Sequence, residues 1–325
     1  FVNCPVEGKD VIFSVSCIIG GIENAGKGWK MLMECLSAGR GISLPSTSTG
    51  GSKHVLRVTS AYSMIRKQFG MAIGKFEGIS DVISEIAGNT YMLDSTRIFT
   101  CGAIDRGEKP SVITAMCKYH FTELSRVNIN HGMDILGGHA ISLGSKNFLA
   151  MSYFAAPISI TVEGANILTR TLMIFGQGAI RSHPYVLEEV KGLENNDVAL
   201  FDRAFFGHVG HVINNFFRSI FLSVTRGYLA YFPKMNSTWR YYQKLSWASA
   251  TFAFMSDLAL GLLGGTLKRR ESLAAVYGDI LSLMYFATAT LKRFDFDGSK
   301  KEDKVLLDWV MATTFYKIQN SFEEI

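Results

Sequence analysis

Helical periodicity, interrupted by short glycine and proline breaks, restricts the fold of this 325-residue sequence more than any other feature. From Asn24 onward the apolar residues recur at helical spacing; Trp29, Leu32, Met33 and Leu36 stand at i, i+3, i+4 and i+7. Further helices are predicted at residues 53–68, 78–106, 109–135, 145–155, 164–175, 197–231, 237–263, 270–293 and 301–323. Because their connections are short, the pattern predicts an all-α helical bundle followed by a second helical domain.

Four stretches depart from this pattern. The β-branched and aromatic run Val11–Ile19 ends at a pair of glycines and predicts a strand, the remnant of a β domain. Pro45 is expected to kink or end the first helix, and Ala156-Pro157 to mark a further break. The polar residues 188–197 predict a linker. The expected division is therefore 1–22 (β remnant), 23–184 (helical bundle) and 185–325 (helical extension).

The composition excludes several classes of protein. Hydrophobic residues make up 48% of the chain and charged residues 19%, which is a globular balance sufficient for about two domains. The net charge of +5 arises from scattered residues and gives no nucleic-acid footprint. Five widely spaced cysteines without a C-x-x-C pair predict neither disulfides nor a zinc site. With no signal peptide visible, we expect a cytoplasmic protein.

Two apolar stretches, Ser246–Gly265 and Ser272–Leu291, approach the length of a membrane span. Asp257 and Asp279 lie near their centres, where a carboxylate is costly in lipid, so buried helices are favoured. The basic cluster Lys268-Arg269-Arg270 has two interpretations: a solvated turn, or a surface that faces acidic phospholipids at the cytoplasmic side of the inner membrane.

Glu163 and Gly164 interrupt the apolar segment 160–170. A carboxylate flanked by Ile160, Val162 and Ile167 at a helix start is expected to have a raised pKa and to act as a base toward a weakly acidic carbon. Gly164 permits close approach of the backbone to a ligand. The alternative is an N-terminal glutamate that only complements the helix dipole.

Two further motifs have the residue types of a nucleotide site. Arg66-Lys67-Gln68-Phe69-Gly70 combines a guanidinium suited to pyrophosphate with an aromatic ring and a glycine expected to end the helix. Asp134-Ile135-Leu136-Gly137-Gly138 places a double glycine between helices. Either motif alone is also explained by an ordinary helix end or turn.

Two other groups are less specific. Ser37 and Arg40 lie within Leu36–Arg40, and Arg40 is as readily a buried ion-pair member as a ligand-binding residue. His208 and His211 share a helix face, but no third residue has ligand-like spacing, so no metal site is predicted.

Together these segments resemble the C-terminal half of an acyl-CoA dehydrogenase. The resemblance is closest to the bacterial long-form enzymes of fatty-acid β-oxidation (FadE type), over residues 33–51, 158–189 and 266–271. It implies that Glu163 is the base that removes the α-proton and that Gly164 lies at the substrate. Ala165 and Ile167 replace polar residues that touch the flavin in the family.

The resemblance also implies a cofactor, FAD, and a homodimer or higher oligomer. Arg66, Gln68 and Phe69 match a motif that reaches across the dimer interface to the FAD of the neighbouring subunit. Asp134, Gly137 and Gly138 match residues near the adenosine half, with Asp134 replacing a glutamine. Arg40 and Ser37 match a substrate-binding Arg and Asp, the Asp being replaced by serine.

The implied reaction is α,β-dehydrogenation of a fatty acyl-CoA to the trans-2-enoyl-CoA, with an electron-transfer flavoprotein or similar carrier as electron acceptor. Because family members place further domains ahead of this bundle, the chain is expected to be an incomplete fragment of such an enzyme. Two alternatives remain open: an acyl-CoA oxidase, and a non-catalytic helical module for dimerisation or membrane-surface contact.

Overall fold

The structure, a computed structural model, describes residues 4–232 and 237–325, and within them it describes no side chains for residues 29, 30, 33, 34, 36–38 and 181. The described chain is almost wholly helical, as predicted. Its helices are α1 (Gly28–Ile65), α2 (Glu77–Asp105), α3 (Ser111–Leu136), α4 (Gly138–Ile141), α5 (Ala150–Thr161), α6 (Asn166–Leu168), α7 (Gly178–Ser182), α8 (Val186–Glu194), α9 (Val198–Val224), α10 (Trp239–Leu263), α11 (Glu271–Phe296) and α12 (Lys301–Glu324). A π-helical turn, Thr169–Met173, follows α6.

Two helical layers form the core. In the first, α1 packs along α2 and α3 around a cluster that includes Val55, Ile86 and Ile129. In the second, α10, α11 and α12 enclose a cluster that includes Ile280 and Leu307. Because α11 also packs on α2 and on the π-helical turn, the second layer is in direct contact with the first.

The prediction that Pro45 ends the first helix is wrong, because α1 continues through it from Gly28 to Ile65; the alternative, a kink, stays a prediction. Proline removes one helical hydrogen bond and costs roughly 3 kcal/mol in a helix interior. Ser48, Thr49 and Ser52 on the following turn are buried, so packing of this small-residue face outweighs the local cost.

Two other predicted breaks are also wrong. Helix α5 passes through Pro157 and is held against α3 by packing. The segment predicted as a polar linker contains α8, whose Gly192 packs closely against Phe201 of α9. Its first backbone N–H groups find an acceptor in His183, a capping role that charge content alone does not reveal.

The predicted strand at Val11–Ile19 is not found. This segment contains only the 3₁₀ turn Val15–Cys17, and its apolar side chains are exposed; Ile12 is 96% accessible. A strand requires a neighbour for its backbone hydrogen bonds. Among the described residues the only strands are β1 (Lys67–Gln68) and β2 (Met71–Ala72), which pair with each other.

Two helical segments, Trp239–Arg269 and Glu271–Phe296, are long and apolar enough to cross a membrane by length and composition alone. Two-thirds of the apolar window in the second is buried (67%), as expected for a core helix, but only 28% in the first. The expectation of two buried helices therefore holds for α11, whereas α10 leaves much of its apolar window exposed.

Candidate functional site

Glu163 lies in a turn between α5 and α6, and not at a helix start as expected. Its φ is +55°, and that of Gly164 is +97°. A non-glycine residue in the left-handed region is uncommon and costs on the order of 1–3 kcal/mol, which surrounding contacts must offset. The interpretation of Glu163 as a helix-dipole residue is therefore not supported by its position.

Arg40 of α1 fixes one side of this turn. Its side chain is buried, and its Nε donates a hydrogen bond to the backbone oxygen of Glu163 over 3.0 Å. Burial lowers the pKa of Arg40, and the charge of Glu163 opposes that shift. The neighbouring Gly39 leaves room for the carboxylate, because a Cβ there would lie 3.2 Å from Glu163 Oε1. The side chain of Ser37 lies outside the described residues.

Lys118 of α3 fixes the other side, and sequence reasoning missed it. This fully buried lysine donates through Nζ to Gly164 O at 2.7 Å, to Asn166 Oδ1 at 2.6 Å and to Ile160 O at 3.3 Å. Its pKa is lowered to about 8, first by burial and then by the charge of Arg40. The sequence signal that could have identified this residue is a lysine within the largely apolar run 115–121.

Asn166 extends this network to α3. Its Nδ2 donates to Thr122 Oγ1 at 2.9 Å and to Glu123 Oε1 at 2.7 Å. Glu123 is in turn paired with Arg126. Polar contacts from α1 and α3 thus hold the turn that carries Glu163.

The carboxylate of Glu163 is partly buried, and its Oε2 has no hydrogen-bond partner among the described residues. The expected apolar flanks do not surround it: Val162 and Ile167 are exposed. Arg40 and Lys118 instead place two positive charges near the carboxylate, since α1 and α3 converge there. The arrangement presents a carboxylate oxygen without a described partner on a turn held by hydrogen bonds from α1 and α3.

Residues Arg66 to Gly70 form a protruding hairpin. The helix ends at Ile65 and not at the glycine; Lys67–Gln68 then pairs with Met71–Ala72. Phe69 and Gly70 form the turn with φ of +50° and +80°, as in a type I′ hairpin. Phe69 is 92% exposed and meets Phe76 edge-on.

The two predicted nucleotide motifs meet at one cavity of about 720 Å³. Arg66 and Gln68 line it from the hairpin, and Gly137 and Gly138 from the end of α3. A Cβ at either glycine would meet no atom within 4 Å, so this wall leaves open space. Asp134 is exposed one turn earlier and is not a lining residue, so its predicted contact with the cofactor stays a prediction.

Two family models match most of the chain. Residues 26–174 match the model of the acyl-CoA dehydrogenase C-terminal domain, and residues 180–325 match that of the acyl-CoA dehydrogenase C-terminal region of bacterial type. The chain belongs to the acyl-CoA dehydrogenase family. The predicted resemblance is thereby confirmed at the level of the family.

Individual relatives of this acyl-CoA dehydrogenase chain match only in part. It is 57% identical to Protein HemX of Proteus mirabilis over 61 residues, 19% of this chain and 36% of that protein. It is 29% identical to the probable acyl-CoA dehydrogenase FadE10 of Mycobacterium tuberculosis over 147 residues, 45% of this chain and 22% of that protein. The matches thus span well under half the length of these curated relatives.

A solved structure shares the fold over nearly the whole chain. The acyl-CoA dehydrogenase from Bacillus anthracis, crystallised with FAD, superposes with a TM-score of 0.70 at 16% identity, over 92% of this chain and 50% of that one. The helical extension therefore has a counterpart in a family member of known structure, and both helical layers belong to one family fold.

Proposed function

We propose that this acyl-CoA dehydrogenase chain supplies the base for α,β-dehydrogenation of a fatty acyl-CoA to the trans-2-enoyl-CoA, with Glu163 removing the α-proton. The supporting observation is the buried Oε2 of Glu163, which has no hydrogen-bond partner among the described residues and lies on a strained turn braced by Arg40 and Lys118. Because the chain spans only part of its relatives, the activity is proposed for the protein together with the regions that those relatives add.

Two roles follow for groups in the turn. The free Oε2 accepts the proton, a general-base contribution of about 10²–10⁴-fold. The backbone N–H of Glu163 is proposed to donate to the thioester carbonyl, which makes the α-proton more acidic. Gly164, lacking a side chain, lets the thioester approach; a Cβ there would lie 3.3 Å from Thr169 Oγ1.

FAD is proposed to bind in the cavity between the hairpin and the end of α3, which combines a guanidinium with a wall free of side chains. Arg66 would pair with its pyrophosphate, Gln68 would donate to it, and Gly137 and Gly138 would let its adenosine part approach the backbone. When bound, FAD supplies the hydride acceptor for the β-carbon. Because Arg66, Gln68 and the exposed Phe69 belong to one hairpin, the FAD in this cavity is proposed to be that of a second subunit, which makes the active protein a homodimer or a higher oligomer.

The base is tested by Glu163→Gln in the protein that includes the domains found in its relatives. We expect flavin reduction by palmitoyl-CoA under anaerobic conditions to slow by at least about 10²-fold, with the bound-flavin spectrum unchanged. A reduction rate within threefold of the wild type would contradict the assignment. Arg66→Ala should instead weaken FAD binding, measured by release of flavin on dilution.

Gly39 provides a test of geometry with a matched control. A Cβ in Gly39→Ala would crowd Glu163 Oε1, so flavin reduction should slow while the helix gains propensity. Gly50→Ala lies in the same helix, where an added Cβ meets no atom within 4 Å. Equal rates for the two variants would show that the carboxylate position is not set by Gly39.

An acyl-CoA oxidase would use the same base, so an acyl-CoA dehydrogenase is distinguished from an oxidase by its electron acceptor. We propose an electron-transfer flavoprotein or a similar carrier as acceptor. Palmitoyl-CoA oxidation in air should then release little peroxide and depend on an added artificial electron acceptor; stoichiometric peroxide would identify an oxidase.

A membrane-surface role is the second candidate, favoured by the exposed apolar face of α9. Phe206, Phe217 and Val224 are 69%, 64% and 80% exposed on this helix. With the basic cluster Lys268-Arg269-Arg270, this face would place the protein at the cytoplasmic side of the inner membrane. Co-sedimentation with anionic vesicles should be lost when the three basic residues are replaced by glutamine; sedimentation that is unaffected would contradict electrostatic docking.

A further inference from the structure

Histidines and carboxylates converge where α8, α9 and α10 meet, outside the Glu163 turn. His183 precedes α8, Glu189 lies in α8, His208 in α9 and Asp257 in α10. One ligand-type atom from each of His183, His208 and Asp257 lies within 4.8 Å of the others. The side chains of Asp257 and His183 are only 3% and 8% exposed.

The hydrogen bonds of His183 fix its tautomer. Its Nδ1 accepts the backbone N–H groups of Tyr185 and Val186, each at 3.2 Å, so its proton lies on Nε2. That Nε2–H donates to Asp257 Oδ1 over 2.8 Å. His183 therefore serves as a hydrogen-bond partner that orients the carboxylate.

His208 has the opposite arrangement. Its Nδ1 lies 2.8 Å from Glu189 Oε1, and a carboxylate accepts, so Nδ1 carries the proton. Nε2 faces Asp257 Oδ1 at 3.6 Å and is the ring nitrogen left to bind a metal ion. A histidine that ligates a metal through one ring nitrogen usually donates the N–H of its other ring nitrogen to a carboxylate, as His208 does here.

The separation of 3.6 Å between His208 Nε2 and Asp257 Oδ1 is too long for a good hydrogen bond. A good N–H···O bond spans about 2.7–3.2 Å. A tetrahedral ion with bonds of about 2.0–2.2 Å to nitrogen and oxygen holds these two atoms roughly 3.4 Å apart. The observed gap is close to that of a bridging ion.

Asp257 supplies an independent indication of a ligand. Its Oδ2 is buried and has no hydrogen-bond partner among the described residues. A buried carboxylate oxygen without a donor is costly, and a cation removes that cost. The contacts described for Asp257 and Glu189 are to imidazole nitrogens, so a divalent ion would balance the two carboxylate charges.

We propose that this cluster binds a divalent transition-metal ion through His208 Nε2 and the carboxylate of Asp257, with His183 and Glu189 as their orienting partners. Nitrogen and oxygen ligands without thiolate suit Zn²⁺, Mn²⁺, Fe²⁺ or Co²⁺. His208, Asp257 and Glu189 also line an apolar cavity of about 580 Å³. The remaining coordination positions are open to water or to an oxygen atom of a small molecule in that cavity.

The experiment titrates the untagged full chain, first stripped with chelator, with CoCl₂ and follows visible absorption, alongside calorimetry with ZnCl₂. We expect one saturable site per chain with ligand-field bands and without the charge-transfer absorption of a cobalt thiolate. Absence of saturable binding overturns the proposal. A thiolate spectrum also overturns it, because the ion would then sit at the free cysteines.

Variants locate the site. Asp257→Asn and His208→Gln should abolish binding, whereas Glu189→Gln should weaken it by about 10–100-fold through its orienting role. His131→Gln is the matched control, because His131 also faces a carboxylate, that of Glu85, at 3.4 Å elsewhere on the chain. Circular dichroism establishes that each variant is folded. Full binding retained by folded Asp257→Asn or His208→Gln would overturn the assignment.

Discussion

Lys118 provides the most direct test of how the Glu163 turn is held, through Lys118→Met. This change removes a buried ammonium that donates to Gly164 O at 2.7 Å, Asn166 Oδ1 at 2.6 Å and Ile160 O at 3.3 Å. Each buried acceptor left without a donor costs about 1–3 kcal/mol.

Two considerations reduce the sum of these costs. Gly164 O keeps the hydroxyl of Thr169 as a donor at 3.2 Å, and the bond from Lys118 to Ile160 is the longest of the three. Methionine also has no charge, so the variant is spared the cost of burying an ammonium group, the burial that lowers the pKa of Lys118 to about 8. The net loss in the free energy of unfolding is therefore expected to be about 2–4 kcal/mol.

Urea denaturation at pH 7, followed by circular dichroism, measures the change. Lys191→Met on the exposed side of α8 is the matched control and should alter the free energy of unfolding by less than about 0.5 kcal/mol. Amide hydrogen exchange of residues 163–166 should also accelerate in Lys118→Met. A free energy of unfolding within about 0.5 kcal/mol of the wild type would refute the bracing role.

Two further predictions concern pH and packing. The folded-state pKa of Lys118 is about 8, below its ordinary value of 10.5, so the unfolded chain binds more protons between these two pH values. The stability of the wild type relative to Lys118→Met should therefore rise with pH across that window. A difference in urea midpoint between the two proteins that is the same at pH 7.5 and at pH 10 would contradict this. Gly88→Ala should lower the free energy of unfolding by about 1–3 kcal/mol, because its Cβ would lie 2.0 Å from Trp309 Cε3. Gly78→Ala in the same helix is the control, since its Cβ would meet no atom within 4 Å. Equal melting temperatures for the two variants would refute the close packing at Gly88.

Local pattern was sufficient for most helices, because apolar periodicity is a property of consecutive residues. It predicted α2, α3, α11 and α12 to within a few residues. It failed where tertiary packing opposed a local preference, as at Pro45, and where a predicted strand, Val11–Ile19, required a partner.

In the candidate site, too, the sequence predicted the local motifs but not the contacts made by folding. The motifs containing Glu163 and Arg66 were recognisable because each lies within a short segment. Lys118 and the group formed by His183 and Asp257 were not, because their significance depends on helices that meet only in the folded chain. Residue spacing cannot report that Lys118 donates across 46 positions to Gly164.

The second helical layer also bears on the Glu163 turn, through Arg170. This residue lies in the π-helical turn that follows α6, and its Nε and Nη2 donate to Asp279 Oδ2 of α11 at 3.0 and 2.6 Å. His120 of α3 lies 3.8 Å from the same carboxylate, and burial lowers its pKa to about 4. Because Asp279 holds Arg170 only seven residues after Glu163, α11 fixes the far end of the segment whose near end is fixed by Lys118. The helical extension therefore contributes to the geometry of the proposed base through the partly buried Asp279 of α11.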